Sequence, residues 1–207
     1  MTKRILIGGI VGGLIMFIWG FLSHTVLMLG DAGLKSIEPA PSDAFAAAAK
    51  AAFKESGLYY FPHYDWQAVM KLPKEQREAA DKAYGEKVKN GPSGMVVYVS
   101  SKPEGTDMSR ELAGEFATNV VTCLILALLL SQLKDSTRYS CRVCFCATVG
   151  LLAGIAVNVP QWNWYKYPGV FSAAQVADHT IGFALVGLFL AWLMKPAAAA
   201  VPAPAVG

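Results

Sequence analysis

The sequence lacks every short signature that would announce a reaction. No glycine-rich phosphate loop, nucleophile elbow or zinc-protease motif occurs in its 207 residues. Cysteine is scarce, four in all, and none falls between Gly30 and Glu111, so that segment carries no disulfide framework. The net charge of +3 is not concentrated into a basic footprint, and no nucleic acid is expected as a partner. Charge is also absent over long distances: Ile5 to Leu29 is twenty-five residues without one formal charge.

What is present needs oil around it. Hydrophobic residues make up 54% of the chain and the mean hydropathy is +0.38, more than a small soluble core requires. They are gathered into uninterrupted runs, the pattern that a bilayer core demands because it offers charge no partner. Four runs predict transmembrane helices at 5–29, 112–133, 143–159 (from Cys141 or Val143) and 172–194, each able to cross the roughly 30 Å of hydrocarbon. The fourth is marked independently by Ser172 and Gln175, spaced as a capping box. A cleaved signal peptide is the competing reading of the first run, since Lys3 and Arg4 precede it. The run is longer than the roughly 7–15 residues of a signal h-region and no A-x-A site follows, which favours an uncleaved anchor.

The fold class expected is therefore membrane all-α, a four-transmembrane-helix bundle with a small α+β extracytoplasmic insert, 30–111, between helices 1 and 2. Four spans put both termini on one side, together with Lys3, Arg4, Lys134, Arg138, Arg142 and Lys195; the short opposite loop, Val159 to Phe171, has Lys166. The positive-inside rule then makes the termini cytoplasmic and, in a bacterium, the membrane the inner one and the insert periplasmic. A segment as long as the insert crosses largely regardless of its own charge, here eleven Lys and Arg against twelve Asp and Glu.

Within the insert, Ser42 and Gly57 bracket a helix over 43–56, Leu58 to Phe61 reads as a strand, Pro73 opens a helix to about Lys89, and Met95 to Ser101 reads as a second strand. So small a unit has few apolar residues to bury, and Tyr59, Tyr60, Phe61, Tyr64 and Trp66 serve either as its core at headgroup level or as a docking surface. The tail, 196–207, contains only Ala, Pro, Val and Gly and is expected to be a disordered cytoplasmic extension.

Ionisable groups inside spans are costly, so each is a functional candidate. At 1.5 Å per residue from the cytoplasmic boundary, His24 lies about 30 Å away, Glu115 about 28 Å, and Asn158, Asp178 and His179 about 24–25 Å. All five fall in the outer leaflet, and Glu111, Glu115, Thr118 and Thr122 form a polar stripe expected to face protein. Three readings follow. His24 and His179 ligate a b-type haem or a metal, with Glu115 or Asp178 behind them; or the polar groups pair with one another to hold the helices together; or they line a proton or small-solute path. Cys141, Cys144 and Cys146, with Cys123 in the second span, do not match a zinc or iron–sulfur spacing and read as buried small hydrophobes. Gly8/Gly12, Gly9/Gly13 and Gly150/Gly154 permit close helix approach within the bundle or between copies, so a homo-oligomer is possible. Trp162, Trp164, Tyr165 and Tyr167 read as an interfacial anchor.

The glycine-rich first span, the run Gly57 to Pro62 and the run Trp162-Asn163-Trp164-Tyr165 before a fourth span resemble a group of small bacterial inner-membrane proteins without an assigned activity. The resemblance implies a bacterial membrane setting and transfers no functional residue. The function expected is that of a non-enzymatic accessory protein embedded in the lipid bilayer, binding a protein partner through its extracytoplasmic insert. The alternative is a membrane redox protein using His24 and His179, and an enzyme acting on lipid ranks third.

Overall fold

The computed structural model describes residues 2–194. In chain order its elements are α1 (Thr2–Phe21), extended by a π-helical turn (Leu22–Val26) and a 3-10 turn (Leu29–Asp31), then α2 (Pro39–Ala52), β1 (Gly57–Phe61), α3 (Trp66–Met70), α4 (Lys74–Asn90), β2 (Gly94–Tyr98), α5 (Ser109–Leu130), α6 (Tyr139–Tyr165) and α7 (Gly169–Leu193). They form two units, one comprising the chain up to Leu34 and from Asp107 onward, the other residues 35–106. Among the described residues, four helices are long and apolar enough to cross a membrane: Thr2–Val26, Ser109–Leu130, Tyr139–Tyr165 and Gly169–Leu193. The tail at 196–207 lies outside the described residues.

In hydrocarbon, one apolar helix gains nothing by leaving lipid for another, so association needs close backbone contact. Glycine supplies it. In the bundle α1 lies between α5 and α7, and α7 between α1 and α6. A Cβ on Gly13 would stand 2.7, 2.8 and 2.9 Å from Cγ2, Cα and N of Val120 in α5, and one on Gly8 would stand 2.9 Å from Leu190 Cδ2 in α7. Likewise a Cβ on Gly150 would meet Phe183 Cβ at 2.6 Å and the His179 carbonyl at 2.7 Å, and one on Gly187 would meet Cys146 Cβ at 2.7 Å. The glycine pairs read from the sequence thus act inside the bundle. The apolar core they enclose (Cys123, Leu126, Ala127, Leu130, Cys146, Phe183, Val186, Leu190 and Met194) fills the half of the bundle where α1 begins and α7 finishes.

That terminal end is tied by one cation. Arg142, 3% exposed, donates from Nε to the Thr137 carbonyl (3.2 Å), from one terminal nitrogen to Met194 (3.2 Å) and from the other to Lys134 (3.1 Å). The guanidinium fork therefore joins the α5–α6 connection to the end of α7, where the helix dipole leaves partial negative charge on the carbonyls.

Three helices have ends that differ from the sequence reading. α6 does not stop at Val159: it carries Pro160 inside it and runs to Tyr165, so the connection to α7 shrinks to Lys166, Tyr167 and Pro168. Proline costs one hydrogen bond here, and a helix near its end tolerates that. α7 starts at Gly169 with Ser172 N–H already bonded to the Pro168 carbonyl at 3.0 Å, so Ser172 lies inside the first turns and caps nothing. α2 starts at Pro39 and ends at Ala52, because Phe53 turns extended and Gly57 opens β1 instead of closing a helix.

In the insert, β1 and β2 pair antiparallel, with Leu58 opposite Val97 and Tyr59 opposite Val96. Phe53 covers one face by stacking on Tyr59 at 4.2 Å and meeting Tyr98 at 5.1 Å between ring centroids. The short helix α3, absent from the sequence reading, begins where the Asp65 carboxylate accepts the Ala68 N–H at 2.9 Å. Tyr64 packs on Tyr84 (4.5 Å) and donates its hydroxyl to Asp81. Ala49 is the one buried residue among 35–106, so this unit has little core of its own.

Three outcomes are expected. Gly13→Ala should lower bundle stability in detergent by about 1–3 kcal/mol, because the added carbon meets backbone, whereas Gly20→Ala, with nothing within 4 Å, should leave thermal melting unchanged. Arg142→Leu should cost roughly 1.5–3 kcal/mol, with Arg142→Lys recovering only part because it lacks the fork. Its hydrogen bond to Asp81 raises the Tyr64 pKa to about 12, so the neutral phenol supports the fold up to the ordinary tyrosine value near 10.0 and that support fades as pH rises toward 12. Ultraviolet titration of the wild type against Tyr64→Phe should show one tyrosine ionising about two pH units late.

Candidate functional site

Polar side chains gather in the other half of the bundle, toward the end from which the insert is connected. Ser23, Asn119, Asn158 and Ser172 are all buried there, the last two at 5% and 7% exposure. The five residues singled out from the sequence occupy the same half, yet no hydrogen bond or ion pair joins any two of them among the described residues. The expected mutual pairing is therefore corrected: most of these groups are satisfied by their own helix.

His24 lies in the π-helical turn that ends the first span, closed by Leu27 N–H on the Leu22 carbonyl at 2.9 Å. Its Nδ1 is 3.0 Å from the Gly20 carbonyl oxygen and 3.0 Å from Ser23 Oγ. A carbonyl oxygen can only accept, so Nδ1 carries the hydrogen and Nε2 of the neutral ring keeps its lone pair. Met28, at φ 54°, reverses the chain and brings Gly30 against the ring, where a Cβ would stand 2.4 Å from His24 Cδ2. His179 repeats the device one helix away: its Nδ1 is 2.8 Å from the Gln175 carbonyl, which again leaves Nε2 free.

The two imidazoles meet different neighbours. On α7, Gly182 faces Met16 and Trp19 of α1, and the Trp19 indole donates to the Asp178 carbonyl at 3.2 Å. His179 and Phe183, each one residue further on and so rotated by about 100°, face Gly154 and Gly150 of α6. His179 thus belongs to the α6–α7 groove, and His24 to the reversal after α1. Asp178 Oδ1 is buried without a partner among the described residues, as is Ser172 Oγ. Asn158 donates to the Gly154 carbonyl at 2.9 Å, and Glu115 is exposed.

The polar stripe on α5 does not face protein. Glu111, Glu115 and Thr118 are exposed and Thr122 is half-buried, while the buried face is Asn119, Cys123, Leu126, Ala127 and Leu130. Nor do the cysteines behave alike: Cys123 and Cys146 are buried, but Cys141 and Cys144 are exposed, against the reading of all four as core. Ser23, Trp19, Ser172 and the structural part of Arg142 were not visible as functional positions. One signal was present in the sequence: Arg142, Cys146, Gly150, Gly154 and Asn158 recur every fourth residue and are the buried ridge of α6. Among the described residues, no group of three or more His, Cys, Asp or Glu is arranged to hold a metal ion. Compared with protein-family models, curated proteins and solved structures, the chain matches none.

Nitrogen-15 NMR of imidazole-labelled protein should find both His24 and His179 as the tautomer protonated at Nδ1. Gly30→Ala should shift the His24 resonances and leave those of His179 in place; protonation at Nε2 in the wild type would contradict the assignment.

Proposed function

We propose that this is a multi-pass inner-membrane protein of accessory type, non-enzymatic, with cytoplasmic termini and an extracytoplasmic insert that binds a protein partner. The observation that carries the reading is the second face of the insert's sheet. Leu58, Tyr60 and Val97 stand 64%, 54% and 76% exposed, on the side opposite the one Phe53 covers. A two-stranded sheet is marginal alone, and an apolar face left open on it favours completion by another surface. The resemblance to small bacterial inner-membrane proteins and the basic residues beside the terminal end support the setting.

Affinity purification after cross-linking in native membranes tests this. The wild type should recover a partner, and Leu58→Asp with Val97→Asp should reduce recovery about tenfold, the effect of losing a central apolar contact, while the helical signal in detergent is unchanged. Recovery of the same protein by both forms, or of a free monomer alone, would overturn the reading.

A second reading is a haem or metal held through His24 and His179, favoured by the shared Nδ1 hydrogen bonds that leave both Nε2 atoms available. The purified protein should then show a Soret or metal-dependent absorption band that His24→Ala and His179→Ala each abolish; absence of any such band from protein purified out of its native membranes would remove it.

A further inference from the structure

Cys141 and Cys144 remain outside everything described above. They stand three residues apart at the start of α6, separated by Arg142 and Val143, and both are exposed. The buried ridge of the helix passes between and behind them through Arg142 and Cys146, so both sulfurs lie on the opposite, outward side. Three residues of α-helix place two Cα atoms about 5 Å apart, inside the roughly 4.4–6.8 Å that a disulfide spans. Closing the bond requires the first turn of α6 to unwind locally, bringing the Cβ atoms from about 5–6 Å to about 4 Å. The other two cysteines, Cys123 and Cys146, are fully buried in the apolar core. The pair is thus exposed on the outward side of α6, at the end of that helix next to the α5–α6 connection, while the other two thiols are buried.

We propose that Cys141 and Cys144 form a thiol–disulfide exchange site whose substrate class is a low-molecular-weight disulfide. In the forward step one cysteine sulfur attacks a sulfur of the external disulfide. A mixed disulfide forms and the first small thiol leaves. The second cysteine then attacks the protein sulfur of that mixed disulfide, closing the Cys141–Cys144 bond and releasing the second small thiol. Two electrons and two protons pass from the pair to the external disulfide, and excess small thiol reverses the sequence. In the stretch of chain that leads into α6, Lys134, Asp135 and Arg138 are exposed, two cations to one acid. Such surroundings suit a small anionic disulfide.

The test uses the full chain in detergent micelles, equilibrated with oxidised and reduced glutathione in varied ratio, then alkylated and weighed intact. Free thiols should fall from four to two in one cooperative step, without a persistent glutathione adduct. Cys141→Ser and Cys144→Ser should each stop at a single stable adduct, and the double variant should keep its two buried thiols unreacted. Cys141→Ala and Cys144→Ala, with circular dichroism, check that the fold survives. Persistent adducts in the wild type, no reaction at any ratio, or equal thiol loss in the double variant would each overturn the proposal.

Discussion

Close approach of helix backbones is the constraint on which this bundle depends. Water cannot drive apolar helices together inside lipid, so contact must come from atoms that fit without a side chain between them. α1 meets α5 over Gly9 and Gly13 and meets α7 over Gly8 and Gly12, while α7 meets α6 at Gly187 and against Gly150 and Gly154. Everything else is arranged around those contacts. The apolar core fills the half where α1 begins and α7 finishes, Arg142 gathers the loose carbonyls at that end, and the buried polar groups lie toward the other.

These polar groups bond mostly within their own helix. A polar atom in hydrocarbon must find a partner, and anywhere along a helix the carbonyl one turn back is an acceptor within reach. His24, Asn158, His179, Thr118 and Thr180 all use it. The consequence is that these side chains cross-link helices less than their number suggests, and that each histidine is held in a defined tautomer with one nitrogen unused. Asp178 and Ser172 depart from the pattern, each with a buried oxygen that has no partner among the described residues.

Much of this architecture was legible in the sequence, and the parts that were not share a cause. Hydropathy marks where a helix can cross, and the four runs match the four long helices to within a few residues at most ends. It says little about where a helix stops in a wet interface, which is why Pro160 and Ser172 misled. It says nothing about rotation: the depths of His24, Glu115, Asn158, Asp178 and His179 followed from counting, but which neighbour each faces depends on helix phase. Glu111, Glu115 and Thr118 of the stripe that runs to Thr122 were assigned to the wrong side for that reason, and Cys141 and Cys144 were placed with the core although the fourfold spacing from Arg142 to Asn158 identifies a different face as buried. The insert's strands were readable from β-branched and aromatic runs; its open face was not, since that depends on what Phe53 covers.

The account requires the insert and the α5–α6 connection to lie on opposite sides of one bilayer. Single reporter cysteines at Ser56 and at Ser136, each in a background with the four native cysteines changed to alanine, can be labelled with a membrane-impermeant maleimide in sealed vesicles of known orientation. The prediction is that Ser56→Cys reacts only from the extracytoplasmic side and Ser136→Cys only from the cytoplasmic side. Labelling of both from one side would contradict it.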